Sequence, residues 1–237
     1  MIERMNAKRG YVPEDDKNFS LSALETMRTA SRHIQYLINE GYDLKQASVF
    51  VGNHFLLSER QRLAIMRSLA TKEQLKARKT KETTTGKEIW VDGFNMIITL
   101  EVLLSDSVIF LCMNGTIRDL AALRGTYRII PETTDAIKRL LDALKEINAE
   151  SVHILLDEPV SNSGRLKTLI AGVGEEYLFD LDIQIRKDVD RALYGIGNVV
   201  TSDSVILDNC RSWINLTPGC LKKHGKQAIQ VWEGRIA

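Results

Sequence analysis

Cysteine is scarce. Cys112, Cys210 and Cys220 are all that the 237-residue chain contains, and an odd count in a chain long enough to build its own core predicts reduced thiols rather than a disulfide frame. No C-x-x-C occurs, and Cys210, Cys220 and His224 leave a structural zinc site one ligand short. Net charge is almost absent, at +1 from 32 Lys and Arg against 31 Asp and Glu. No global field therefore argues for nucleic acid, and any basic surface must be local. Long hydrophobic runs are missing too. "MIITLEVLLSDSVIFLCM" is broken by Glu101 and Asp106 before membrane length, and the first residues hold no apolar segment of the signal-peptide kind. A cytoplasmic protein with no membrane partner is expected. Also missing are a P-loop and a G-x-G-x-x-G, and "VDGFN" lacks the second Asp of a D-x-D nucleophile pair, which makes a phosphatase on another doubly wound sheet the weakest enzymatic reading.

What is present divides the chain. Between residues 20 and 70, Ser22 with Glu25, Asp43 with Gln46 and Ser58 with Gln61 each place a capping oxygen three residues before Glu or Gln, the spacing of a capping box. Three helices are expected. Leu24, Met27, Ile34, Leu37 and Ile38 share one face of the first, and Gly41 suits its stop. Val49, Val51, Phe55, Leu56, Leu63, Ile65, Met66 and Leu69 offer further apolar surface. Residues 1–70 thus read as a helical region that packs on the rest or receives a protein partner, a second copy included. Residues 71–87 have no apolar periodicity and an excess of Lys and Arg, and read as a basic linker, either merely solvated or a phosphate-contacting arm.

From Glu88 onward short apolar runs alternate with helical ones. "EIWV", "SVHILL", "LDIQIR" and "GNVVT" have strand character. "NMIITLEVLL", "TIRDLAALRG", "TTDAIKRLLDALKEI", "GRLKTLIAGVG" and "VDRALYG" have helical character, and "SVIFLCM" fits a strand or a hairpin. Such alternation over residues 88–237 predicts an α/β domain with a mostly parallel sheet.

In an open parallel sheet the ligand site lies beyond the carboxyl ends of the strands. Asp92 follows "EIWV", Asp157 follows "SVHILL", Asp203 follows "GNVVTS", and "LDIQIR" exits into Asp188 and Asp190. One acid after a strand is commonplace, because Asp is a favoured helix N-cap. Four strand ends delivering acids to one rim are different, since converging like charges repel unless something positive sits among them. Mg2+ or Mn2+, which prefer carboxylate and water oxygens, meet that need. Gly93 then permits a sharp exit and a close approach, while Asn95 caps the next helix with its amide toward the site.

These segments resemble the PIN-like nucleases, especially their NYN branch. "VDGFN" is similar to the first-strand motif that presents a metal-binding Asp, "KDVDRAL" to the segment carrying the middle acid, here Asp190, and "VVTSDSVI" to the later segment carrying Asp203. Asp157 in "LLDEP" matches a strand-end acid of many relatives. The resemblance covers about residues 88–217 and implies a three-layer PIN-like domain. It implies a Mg2+- or Mn2+-dependent ribonuclease in which Asp92, Asp157, Asp190 and Asp203 are catalytic metal ligands. Asp188, Asp119 and Glu101 are weaker candidates. Val205 and Ile206 stand where the NYN pattern often has an acid and an aromatic, which keeps open a non-catalytic RNA-binding or regulatory protein. The whole chain also resembles a prokaryotic family that joins a helical region containing "VGNHFLLSERQR" to such a domain.

RNA as partner calls for positive charge near the acids. Arg118, Arg124 and Arg128 in "TIRDLAALRGTYR" are candidates for binding phosphate, the last two spaced to share a helical face; pairing with Asp119 and other acids is the plainer alternative. In "PVSNSGRLKT", Ser163 and Arg165 open a helix whose exposed amides suit an anion, although simple capping explains the same residues. No histidine is assigned a catalytic role, and Trp213 and Trp232 are read as core.

Overall fold

The computed structural model describes residues 8–121 and 125–236. The helical region contains α1 (Asp15–Asn18), α2 (Leu21–Asn39), α3 (Leu44–His54), α4 (Glu59–Ser68) and α5 (Lys72–Lys81). Asp43 caps α3, and Ser58 with Gln61 forms a complete capping box on α4. The cap of the first long helix lies two residues before the expected one, with Ser20 accepting from the Ala23 amide. Leu24, Met27, Ile34 and Ile38 form its buried stripe, as the spacing predicts. Val49 and Leu56, read as shared apolar surface, are instead exposed.

The stretch read as a linker is mostly helix. Thr71 and Gln74 close a second capping box at the start of α5. Arg78 grips Asp208 through both carboxylate oxygens, at 2.7 and 3.0 Å. Lys81 donates to the carbonyls of Leu207, Asp208 and Cys210. This helix is held by directed polar contacts with Leu75 as its buried apolar anchor, which is why it shows no apolar period.

The following unit runs β1 (Glu82–Thr83), β2 (Glu88–Asp92), α6 (Gly93–Leu104), β3 (Ile109–Leu111), β4 (Ile117–Asp119), α7 (Thr133–Glu146), β5 (Ser151–Asp157), α8 (Ser163–Gly174), β6 (Asp180–Arg186), α9 (Val189–Leu193), β7 (Val199–Val200), α10 (Ser204–Asn209), β8 (Trp213–Ile214) and α11 (Thr217–His224). Six strands form one sheet in the order β1-β8-β7-β2-β5-β6, and every pairing in it is parallel. Val152, Ile154 and Leu156 of β5 join a large core with α6, α7 and α8 on one face. Leu155 points the other way, to a smaller cluster with Val189, Leu193, Ile206 and Trp213, the period-two alternation of a strand covered on both sides.

β3 and β4 form a separate antiparallel hairpin. "TIRDLAALRG", expected to be helical, therefore begins as a strand, with Ile117 and Asp119 buried on one side and Arg118 on the other. The turn between the strands carries Asn114-Gly115, with Gly115 at φ +81°, a pairing of residues that favours hairpin turns. The helical region packs onto this hairpin. Phe19 and Phe110 meet edge to face at 5.0 Å, the Met113 amide donates to the Ser68 carbonyl at 2.9 Å, and Trp232 from the C-terminal segment joins the same cluster. Trp213 and Trp232 are both core residues. Among the described residues no helix is long and apolar enough to cross a membrane.

Gly93 is where this architecture is tightest. A Cβ there would lie 2.7 Å from the Leu155 carbonyl oxygen and 2.7 Å from a Leu156 methyl, so α6 can leave β2 and pass over β5 only without a side chain. Because the nearest atom is backbone, relief by side-chain rotation is blocked. Gly93→Ala is expected to destabilise the protein by about 1–3 kcal/mol, measured as a lower denaturant midpoint; an unchanged midpoint would contradict the close approach.

Candidate functional site

The order of strands puts the site where theory expects it. From β2 the chain proceeds to β5 and β6 on one side, then returns to β7 on the other, so a crevice opens beyond the carboxyl end of β2. A cleft of about 340 Å³ lies there, lined by Asp92, Asp119, Asp157, Asp190 and Asp203 together with Arg67, Arg118 and Asn95. Phe94, Ile98 and Ala121 complete its wall. The four strand-end acids of the sequence reading are thus brought together.

Their surroundings differ, and the differences separate structural caps from groups available for chemistry. Asp92 precedes α6 but its side chain caps nothing. Its Oδ2 accepts from Thr201 Oγ1 at 2.8 Å. Burial, with the charges of Asp203, Asp157 and Asp190 adding to it, pushes its carboxyl up to about 7 against the hydrogen bond from Thr201. Asp157, at the end of β5, is also raised, by burial and then by Asp190. Asp190, exposed on the rim in the first turn of α9, has its carboxyl raised by partial desolvation and then by Asp203 and Asp188. Asp203 divides its labour: Oδ1 caps α10 through the amides of Val205 and Ile206, while Oδ2 pairs with Arg118 Nη2 at 3.2 Å.

Asn95 lines the cleft but does not cap a helix. Its Oδ1 accepts from the amide and the hydroxyl of Ser202, both at 2.9 Å, and so latches the β7–α10 turn to α6. Asp119 also lines the cleft, from β4. Its oxygens accept from Thr99 Oγ1 and the Ala121 amide, each at 2.7 Å, so its role in this geometry is to anchor the hairpin end. Asp188 is the N-cap of α9 and lies outside the lining residues. Glu101 is fully buried away from the cleft, held by Arg9, Tyr127 and Thr133.

Among the described candidate phosphate binders only Arg118 reaches the cleft. Its Nη1 donates to the Ser202 carbonyl at 2.9 Å. Arg124 lies outside the described residues. Arg128 is exposed in a segment without helix, so no shared helical face forms with it. Arg165 opens onto another groove, between α7 and α8. Ser163 begins α8 outside the acid cleft, while Ser161 and Asn162 hold the backbone of Tyr127. Sequence reasoning missed Arg67. It comes from the last turn of α4, in the helical region, and donates through Nη1 to the Asp119 carbonyl; nothing in its local sequence ties it to a strand end far along the chain.

The donor set suits a hard, hydrated cation. All the acids are oxygen donors, and the burial of Asp92 among three other carboxylates leaves a negative site in want of a counter-ion. The fit has a limit: among the described residues, no three acidic, histidine or cysteine side chains are grouped closely enough to enclose an ion. A closed cage is therefore absent among the described residues, whereas an ion that keeps several waters and uses one or two carboxylates plus a substrate phosphate suits this lining. The cysteines take no part, being free and buried.

Comparison with known proteins agrees with the two-part architecture. Residues 26–81 match a family described as a protein of unknown function, DUF434, and this match runs from within α2 to the end of α5. Residues 81–218 match a domain of unknown function, DUF5616, which begins where α5 ends. The chain is 36% identical over 186 residues to "Uncharacterized protein MJ0935" of Methanocaldococcus jannaschii, spanning 77% of this chain and 89% of that relative. No solved structure matches. With its larger match covering β1 to the start of α11, the chain belongs to the DUF5616 family and carries a DUF434 region before it.

Proposed function

We propose that the cleft is the active site of a PIN-like, NYN-type ribonuclease that hydrolyses phosphodiester bonds with Mg2+ or Mn2+. The observation that carries this reading is the meeting of Asp157, Asp190 and Asp203 around a buried Asp92 whose carboxyl is pushed up to about 7. Asp92 and Asp157 would hold the ion, with Asp190 and Asp203 beside them. When bound, the ion supplies an acidified water and neutralises charge building on the phosphate. The protein's own groups do the positioning. Thr201 fixes one oxygen of Asp92, Asn95 fixes the turn that carries Asp203, and Arg118 presents its guanidinium to a phosphate oxygen that competes with Asp203 for it. The resemblance of "VDGFN", "KDVDRAL" and "VVTSDSVI" makes RNA the substrate of choice.

A second reading has its own support. Asp203 is occupied by its capping bonds and Arg118, and no closed trio of ligands is present among the described residues; both favour an RNA-binding or regulatory protein that has lost cleavage. An assay decides between them. Purified protein incubated with single-stranded and structured RNA in Mn2+ is expected to cut slowly and to stop on addition of EDTA. RNA bound in a salt-dependent manner but left intact would select the regulatory reading, and RNA neither bound nor cut would overturn both. We further propose a cytoplasmic location, in keeping with an RNA substrate.

A further inference from the structure

Arg67 belongs to the helical region, yet it lines the acid cleft of the α/β unit. The placement is enforced rather than casual. The backbone of α4 is tied to the hairpin at its last turn, where the Met113 amide donates to Ser68 and Cys112 Sγ lies 3.2 Å from the Arg67 carbonyl. Two turns earlier Arg60 pairs with Asp15 and reaches the Leu120 carbonyl. The guanidinium itself is steadied by one end only: Nη1 donates to the Asp119 carbonyl and lies 3.7 Å from Asp119 Oδ1, both oxygens of which are already engaged. Among the described residues the Nε and Nη2 hydrogens of Arg67 find no acceptor, and its side chain keeps 24% exposure. An arginine held through one nitrogen with its other donors free is pre-organised for an oxyanion, which the guanidinium fork engages in bidentate fashion.

Arg118 is the other cation among the lining residues described. It stands on β4 of the hairpin and faces Asp203, while Asp157 ends β5 and Asp190 stands in the first turn of α9. Each cation sits beside a cleft acid, Arg67 near Asp119 and Arg118 near Asp203, while Asp92, Asp157 and Asp190 complete the acidic lining. A phosphodiester strand entering the cleft would meet these carboxylates and both guanidinium groups.

Building on the ribonuclease reading, we propose that Arg67 binds an RNA backbone phosphate, so that the N-terminal helical region supplies one arm of a two-arginine clamp with Arg118. The helical region is then part of the substrate site and not an appended module.

The test uses the full-length protein and a short 2′-O-methyl RNA that resists cleavage, at fixed low Mg2+, with affinity followed over a salt series. Losing one phosphate contact lowers the slope of log K against log salt by about 0.7 for a single strand. Arg67→Ala is expected to show that smaller slope and roughly ten-fold weaker binding, with Arg67→Lys keeping the slope but binding at intermediate strength because charge survives without the fork. The slope is unmoved by a constant fraction of unfolded protein, so it separates lost phosphate contact from lost stability. Wild-type slope in Arg67→Ala would overturn the clamp while leaving the RNA reading intact. A wild-type protein that binds no RNA would overturn the RNA reading and the clamp with it.

Discussion

Asp92→Asn should make the metal-free protein more stable, by an amount that grows with pH. The carboxyl is raised from 3.8 to about 7, chiefly by burial. A group whose folded pKa lies above its unfolded one stabilises the fold fully only below the unfolded value, and that contribution is lost as pH rises through the folded value. The window is therefore from about 4 to about 7. Above it the charged Asp92 costs about 4 kcal/mol if the whole difference is realised. Asparagine keeps the shape and an oxygen for Thr201 Oγ1 but never ionises. Thermal unfolding in EDTA is expected to show near-equal stability of the two proteins at pH 4 and a gain for the variant on the order of 10 °C at pH 8. A variant less stable at every pH would mark Asp92 as a structural acceptor instead. The same substitution should remove stabilisation by Mn2+, since binding to the native state alone raises stability by mass action. It should also lower RNA cleavage roughly 100-fold or more, as should Asp203→Asn, on the scale seen when one group of a catalytic set is removed.

The site was largely legible in the sequence for a topological reason. Once "EIWV", "SVHILL", "LDIQIR" and "GNVVT" are strands of one parallel sheet, their carboxyl ends share an edge, and Asp92, Asp157, Asp190 and Asp203 follow from counting. The residues that feed the site from elsewhere were not legible. Arg67 depends on how α4 docks onto the hairpin, a contact between segments distant in the chain. Asp119 is expected on a helix because "TIRDLAALRG" has helix-forming composition, yet Asn114-Gly115 turns the chain back and tertiary pairing overrides propensity. The helix at 72–81 is different: Thr71 and Gln74 have the capping-box spacing that located its neighbours, and the absence of an apolar stripe hid it. Asn95 shows that composition identifies a polar group near a site more readily than its job, which here is to hold Ser202.

Glu101, a weak ligand candidate from its sequence position alone, carries the last and most destabilising prediction. It is completely buried in α6. Tyr127 donates to Oε1 at 2.6 Å, Thr133 donates to the same oxygen, and Arg9 Nε lies 2.9 Å from Oε2 without the alignment of a hydrogen bond. Arg9 also stacks over the Tyr127 ring at 4.7 Å and donates to the Arg128 carbonyl. One carboxylate thus joins the N-terminal arm, the segment around Tyr127 and the start of α7. Burial raises its pKa, against the opposing pull of Arg9, Thr133 and Tyr127, so the charge is expensive and its partners are what make it tolerable. Glu101→Ala would leave a mostly buried guanidinium and two buried hydroxyls short of an acceptor, and breaking a buried pair from one side costs about 3–5 kcal/mol. Chemical denaturation should show that loss. Glu101→Gln retains an acceptor for Tyr127 and Thr133 and should cost less, so equal losses in the two variants would assign the effect to charge, and no loss in either would deny the network a structural role. Because Glu101 does not line the cleft, the Gln variant should still gain stability from Mn2+, in contrast to Asp92→Asn.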